Sequence, residues 1–304
     1  KNNTFLEKKT ALPGTNIFLT IDLDLQVLAT DLLDERRGSV VAIDPNNGQV
    51  LALVSSPSFD PNIFNENLTT SKYNELQRNT DQPLFNRAVL GTYSPGSIIK
   101  PILGLAALQL GVTNLTQRHI CKGHYSLPGN THRYRDWLSS GHGSVNLHKA
   151  ISQSCDVFFY EVGGRIGIDR MHDYLDQFGL GQKTNIELAG ERTGLIPSTK
   201  WKKAMFSKKE DKNWFPGETV IASIGQGYML ATPLQLANAT AALATRGNRF
   251  KPTLISAIEN PINNEKIFNE SQELTQIKID SQSYWEEVIS AMHNVMQGSG
   301  TAKN

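Results

Sequence analysis

Cysteine is nearly absent: Cys121 and Cys155 are the only two among 304 residues. Two thiols cannot build the disulfide framework of a small secreted scaffold. Net charge is nearly absent as well, at +1, which removes the electrostatic support that nucleic-acid binding needs. No apolar run reaches the roughly 20 residues that span a bilayer. Lys1-Asn2-Asn3-Thr4 does not start a signal peptide, so any anchor of the parent protein is expected outside these residues. No internal repeat recurs. What is present, 39% hydrophobic and 19% charged residues, is the composition of a globular protein large enough for one big domain or two lobes.

Residues 1–15 are polar and contain the turn signal Pro13-Gly14, which reads as a linker into a domain at 16–304. Asn16 to Ile21 suits a short strand. Asp22 can cap a helix from Leu23 to Glu35 that carries Leu25, Val27, Leu28, Leu32 and Leu33 on its apolar face. Two β-rich runs at 38–44 and 49–55 flank Pro45-Asn46-Asn47-Gly48, a hairpin signal. Residues 56–92, 111–146 and most of 180–220 read as loops. Helices are expected at 147–154, 157–166, 168–178, 232–244 and 281–296, and a strand at 250–259. The lysine-rich run from Lys202 to Lys212 reads as solvated surface. Strands at the ends and helices between them suggest an α/β (α+β) fold, an antiparallel sheet flanked by helices with an inserted helical lobe.

One stretch stands out, Tyr93-Ser94-Pro95-Gly96-Ser97-Ile98-Ile99-Lys100-Pro101. The apolar residues from Ile98 to Leu110 surround the whole helix, which predicts a buried helix at 97–110. Ser97 lies at its start and Lys100 three residues on, so both share a face. A serine hydroxyl becomes a nucleophile when a base takes its proton, and burial favours the neutral, basic form of a lysine. Backbone N–H groups at the same helix end can steady an oxyanion. Ser-x-x-Lys alone also describes a capping serine beside a surface lysine, and Ser154-Cys155-Asp156 alone describes a helix junction. Together they match two parts of the set Ser-x-x-Lys, Ser-Asp-Asn and Lys-Thr-Gly of β-lactamases and penicillin-binding proteins.

With these motifs the chain resembles the transpeptidase domain of class B penicillin-binding proteins, and within them the elongation-type branch, penicillin-binding protein 2. The resemblance also runs through Leu19-Thr20-Ile21-Asp22, residues 54–62, Asn86-Arg87-Ala88, Ile224-Gly225-Gln226-Gly227-Tyr228 and Thr232-Pro233-Leu234-Gln235. It implies the penicillin-binding/serine β-lactamase-like fold and peptidoglycan D,D-transpeptidation. In that reaction Ser97 attacks the penultimate D-Ala carbonyl of a stem peptide, Lys100 is its base, and Ser154 relays a proton to the leaving amine. β-Lactams would acylate the same serine. Asp156 departs from the Asn usual in the family but is similar to the elongation-type branch, which has Asp there, and its negative charge would hold Lys100 protonated, against the effect of burial. The third motif, Lys-Thr/Ser-Gly, is not found. Gly298-Ser299-Gly300-Thr301-Ala302 has glycine in the lysine's place, so the motif and the last strands are expected beyond Asn304.

The resemblance further implies a membrane anchor outside this chain, placement at the periplasmic face of the inner membrane, and partnership with a membrane glycosyltransferase and elongation-complex scaffold proteins. Two other activities remain open. A β-lactamase would turn penicillin over rapidly, and a β-lactam sensor or envelope scaffold would be acylated without cross-linking.

Both cysteines fall within 35 residues that also hold Asp136 and His142. Cys121, Asp136, His142 and Cys155 would complete a tetrahedral structural zinc site, with His119, His124 and His132 as competing ligands. The resemblance implies a similar zinc site, with a carboxylate at the position of Cys121. A Cys121–Cys155 disulfide or two free buried thiols are the alternatives.

Overall fold

The computed structural model describes residues 13–65 and 68–303, so most of the expected linker lies outside the described residues. Strand β1, Asn16–Leu19, runs into helix α1, Leu23–Leu33. Asp22 caps α1, its side chain accepting from the Leu25 N–H at 3.0 Å. Strands β2, Gly38–Ile43, and β3, Val50–Ser56, form the expected antiparallel hairpin, with Val40 opposite Val54. Gln26 on α1 stands in for a neighbouring strand at Leu53. Its Nε2 donates to the Leu53 carbonyl at 3.1 Å and its Oε1 accepts from the Leu53 N–H at 2.8 Å. The apolar face expected for α1 is only partly covered: Ala29 is buried, whereas Leu23, Val27, Leu28 and Leu32 are at least half exposed.

The first long loop expected from the sequence contains helix α2, Thr70–Arg78, capped by Thr69. None of its residues is buried; a helix solvated on all sides has no apolar stripe to announce it. A 3₁₀ turn, Gly96–Ile99, then opens α3, Lys100–Gln109, in which every residue from Lys100 to Leu108 is buried. The second expected loop folds into β4, His119–Cys121, β5, His124–Tyr125, β6, Tyr134–Arg135, and β7, Gly143–Val145. β4 pairs antiparallel with β7 and β5 with β6. Two or three residues per strand are too few to show alternation.

Helices α4, Leu147–Ser152, α5, Asp156–Ile166, and α6, Ile168–Gln177, follow near their expected bounds. The third expected loop holds two short helices, α7, Thr199–Met205, and α8, Pro216–Ala222. Lys202 within it is 3% exposed, a correction to the reading of a solvated lysine run. Helix α9, Pro233–Ala244, carries a full capping box between Thr232 and Gln235.

The strand expected at 250–259 is split into β8, Arg249–Phe250, and β9, Ile255–Glu259. Pro252 cannot donate to a ladder, and the adjoining Thr253 bonds instead to the hairpin, through Thr253 N–H to Gly48 O and Val50 N–H to Thr253 O. Strands β10, Lys266–Phe268, and β11, Glu273–Leu274, complete the antiparallel pairings β1-β9-β10 and β8-β11. Helix α10, Gln282–His293, buries Trp285, Val288 and Ala291.

The main core surrounds α3 with residues of α4, α5, α6, α9 and α10, among them Phe158, Phe159, Met171, Leu175 and Trp285. A smaller cluster, including Val50 of β3 and Leu234 of α9, joins the hairpin to this helical lobe. The result is a mixed α and β architecture with antiparallel sheets, as expected. No helix among the described residues is long and apolar enough to cross a membrane.

Candidate active site

Ser97 lies in the 3₁₀ turn and Lys100 is the first residue of α3. The turn is held from behind by a second loop. Gly96 donates its N–H to the Gly225 carbonyl at 2.9 Å, and Tyr93 and Ala231 exchange both backbone hydrogen bonds. Gly225 has φ +72°, and a Cβ there would stand 2.2 Å from the Gly96 oxygen. No other residue type allows this approach.

Ser154 occupies the junction between α4 and α5 with φ +53°, a left-handed conformation that costs a non-glycine residue about 1–2 kcal/mol. The turn brings its hydroxyl to Ser97, to which Ser154 Oγ donates at 2.8 Å. Lys100 Nζ donates to Ser154 Oγ at 3.0 Å, to the Ser154 carbonyl at 2.9 Å and to Asp156 Oδ1 at 2.6 Å. Three acceptors match the three donors of an ammonium. Lys100 is 1% exposed, so a paired charge is held inside the helical lobe. Asp156 opens α5, where the helix dipole favours a carboxylate.

All four sequence-derived residues therefore converge. Among the described residues the link from Ser97 to Lys100 runs through Ser154, with no direct hydrogen bond between them, so the residue that the resemblance implied as a relay to the leaving amine also stands between Ser97 and its implied base.

Ser97, Ser154 and Asp156 line a cleft of about 500 Å³ with Trp137, Ile224, Gln226 and Thr301. Trp137 did not stand out in the sequence. Its indole N–H donates to the carbonyls of Gln153 and Ser154, both at 3.1 Å, and its backbone N–H donates to Asp156 Oδ2 at 3.3 Å. Nothing in a single tryptophan between Asp136 and Leu138 signals this; only the pairing of β5 with β6 and β4 with β7 places it there. Thr301, from the Gly298–Ala302 segment, reaches the cleft, and Ser299 accepts from Gln153 Nε2 at 2.7 Å.

Behind the cleft, Cys121, Asp136, His142 and Cys155 are all buried, with their ligand atoms within 4.8 Å of one another. Asp136 Oδ2 is 3.5 Å from both sulfurs, and His142 Nδ1 is 3.5 Å from Asp136 Oδ1 and 3.6 Å from Cys121 Sγ. A tetrahedral metal with bonds of about 2.0–2.3 Å has ligand–ligand edges of about 3.3–3.8 Å. The buried Asp136 carboxylate receives the N–H groups of Leu138 and Val157, but no lysine or arginine among the described residues. Burial, and further the Asp136 carboxylate and Cys121, push the Cys155 thiol up from its ordinary value. A bound cation would reverse that balance, so the donor set fits zinc. Gly141 lets the loop close: a Cβ there would lie 2.3 Å from the Cys121 carbonyl. Of the competing histidines, His119 faces Glu161, its Nδ1 3.0 Å from the carboxylate.

A family model described as the penicillin binding protein transpeptidase domain matches residues 38–304. The chain is 46% identical over 252 residues to the peptidoglycan D,D-transpeptidase MrdA of Acinetobacter baumannii, covering 83% of this chain and 37% of that protein. It thus spans well under half the length of that curated relative. The structure of Pseudomonas aeruginosa PBP2 in complex with WCK 5153 superposes with a TM-score of 0.87 at 41% identity, over 95% of this chain and 64% of that one. The complex of Helicobacter pylori PBP2 with MreC gives a TM-score of 0.81 at 30% identity, over 94% of this chain and 51% of that one.

Proposed function

Since this chain belongs to the penicillin-binding protein transpeptidase family, we propose that its parent protein is a peptidoglycan D,D-transpeptidase of the cell-elongation type and a target of β-lactams. The observation that carries this reading is the hydrogen-bonded series Ser97 Oγ, Ser154 Oγ, Lys100 Nζ, open to a cleft at the Ser97 end.

Ser97 is the nucleophile. Lys100, hydrogen-bonded here as an ammonium, acts as a base only after it has given up one proton. With Lys100 neutral, as the Ser97 Oγ attacks the penultimate D-Ala carbonyl its proton passes to Ser154 Oγ, whose own proton passes to the Lys100 amine. The reverse transfer delivers a proton to the departing D-Ala amine. The amine of a neighbouring stem peptide then attacks the acyl-enzyme and gives up a proton through Ser154 to Lys100, and the Ser97 oxygen leaves with that proton returned along the same path. Asp156 orients Lys100 and stabilises its charged form once the proton has arrived. Acyl transfer by this route uses no cofactor. Cys121, Asp136, His142 and Cys155 would hold a structural zinc that would fix the loop carrying Trp137 against α5, and no step of the reaction passes through it.

Penicillin-binding protein 2 of Helicobacter pylori has been solved with MreC, which supports a scaffold partner of that kind for this parent protein. A membrane glycosyltransferase partner and an anchored position at the periplasmic face of the inner membrane belong to the same reading. The test is a cross-linking assay on the full-length protein with stem-peptide substrate. Wild type should form cross-links and release D-Ala, and Ser97→Ala should do neither. Cross-linking by Ser97→Ala at the wild-type rate would remove the nucleophile assignment. Fast penicillin hydrolysis without cross-linking would transfer the protein to the β-lactamases.

A further inference from the structure

A second cavity, of about 430 Å³, opens where the loop after α6 meets β8 and β11. It shares no wall residue with the Ser97 cleft. Lys183, Arg249 and Lys251 line it with Asn185, Asn238 and Thr275, and no carboxylate is among its walls. The Nε–H of Arg249 is fully enclosed and meets no acceptor. Its guanidinium is pressed on the turn that ends α6, where a Cβ on Gly179 would stand 2.7 Å from a terminal nitrogen. Burial pushes the guanidinium down from its ordinary value, and the Asp176 carboxylate offsets part of this.

Two nearby acids are occupied elsewhere, and Glu273, between the wall residues Gln272 and Leu274, lines the adjoining cavity with Arg249 without pairing with it among the described residues. Asp176 accepts from the Gln182 amide. Glu187 accepts from Thr253 Oγ1 at 3.0 Å and from the Leu254 N–H at 2.9 Å. The only ion pair that the three cations make among the described residues is a loose one, Lys251 to Glu187 at 3.8 Å. Of the three, only Arg249 has an enclosed N–H without an acceptor, which is costly, and an oxyanion in the cavity offsets the charge gathered there.

We propose that this cavity binds a phosphate-bearing ligand, with Arg249 as the fork and Lys183 and Lys251 as flanking charges. Guanidinium groups meet phosphate oxygens in a bidentate geometry, and lysines act on them as point charges. A phosphate monoester carries up to about two negative charges at neutral pH, which suits three cations better than a single carboxylate does. The amides of Asn185 and Asn238 supply further donors. The phosphate can belong to a soluble ester or to a phospholipid headgroup.

The experiment is calorimetric titration of the intact parent protein at low ionic strength with inorganic pyrophosphate and, separately, with a soluble short-chain phosphatidic acid, whose headgroup is a phosphate monoester. Pyrophosphate should saturate, and its affinity should fall at least about tenfold in Arg249→Gln and in Lys183→Gln. Lys183 is exposed, so its variant reads binding even where the Arg249 variant unfolds. Tighter, variant-sensitive binding of the phosphatidic acid than of pyrophosphate assigns the site to a headgroup; the reverse order assigns it to a soluble ester. No saturation by either ligand up to about 10 mM, or unchanged affinity in both variants, overturns the proposal.

Discussion

The proposed mechanism concentrates its proton transfers on one strained residue, Ser154. Its left-handed backbone, φ +53°, lets the hydroxyl lie between Ser97 and Lys100 while the carbonyl accepts from Lys100 and Trp137. Alanine at 154 keeps the strain and loses the hydroxyl; glycine loses both. Acylation by penicillin should slow by about 10²–10⁴-fold in Ser154→Ala and in Ser154→Gly, the usual worth of a positioned proton-transfer group. In urea unfolding the glycine variant should be the more stable of the two by about 1 kcal/mol. Equal stability of the two would remove the strain from the description. The four residues Ser97, Lys100, Ser154 and Asp156 were legible because two short motifs carry them. Trp137 was not, because its place depends on pairings between strands of two and three residues.

At the scale of elements, α7 shows what periodicity leaves out. Lys202 and Lys203 are neighbours in the sequence, yet Lys203 is exposed and Lys202 is buried against α8. Lys202 pairs with Glu218, and its ammonium lies 5.1 Å from the ring centre of Phe215, 5.5 Å from Trp214 and 5.8 Å from Tyr228. A charged residue inside an aromatic enclosure looks like any other lysine until the helix fixes which face it occupies. Removing Lys202 alone strands the partly buried Glu218. Lys202→Ala should therefore cost about 3 kcal/mol by urea unfolding. The double variant Lys202→Met, Glu218→Gln should recover most of that, since replacing a buried pair by neutral groups is often close to neutral. If the double variant is as unstable as the single one, packing and not charge governs the cage.

Across the whole molecule, long helices with an apolar face were legible, and so was the β2–β3 hairpin with its turn signal. The polar helix α2 and the strands β4 to β7 were not, since neither leaves a pattern in eleven-residue windows. The cysteines, Asp136 and His142 were recognisable by residue type, but their meeting depends on β4–β7 pairing and on the α4–α5 junction. Zinc there would tie these distant segments together, so its binding would add to the stability of the fold. Metal analysis should find one zinc per chain, and chelation should lower the melting temperature, with recovery on adding zinc back. Cys155→Ser should lose both the metal and the chelator response. Absence of zinc from freshly purified protein, with thiols intact or joined as a disulfide, would contradict the structural metal.

The most direct test of the catalytic assignment is peptide mapping by mass spectrometry of the full-length protein after brief exposure to penicillin. One lasting adduct is predicted, on Ser97 in the peptide that also contains Lys100, and none in Ser97→Ala. An adduct on another residue, or equal labelling of the two proteins, would contradict it.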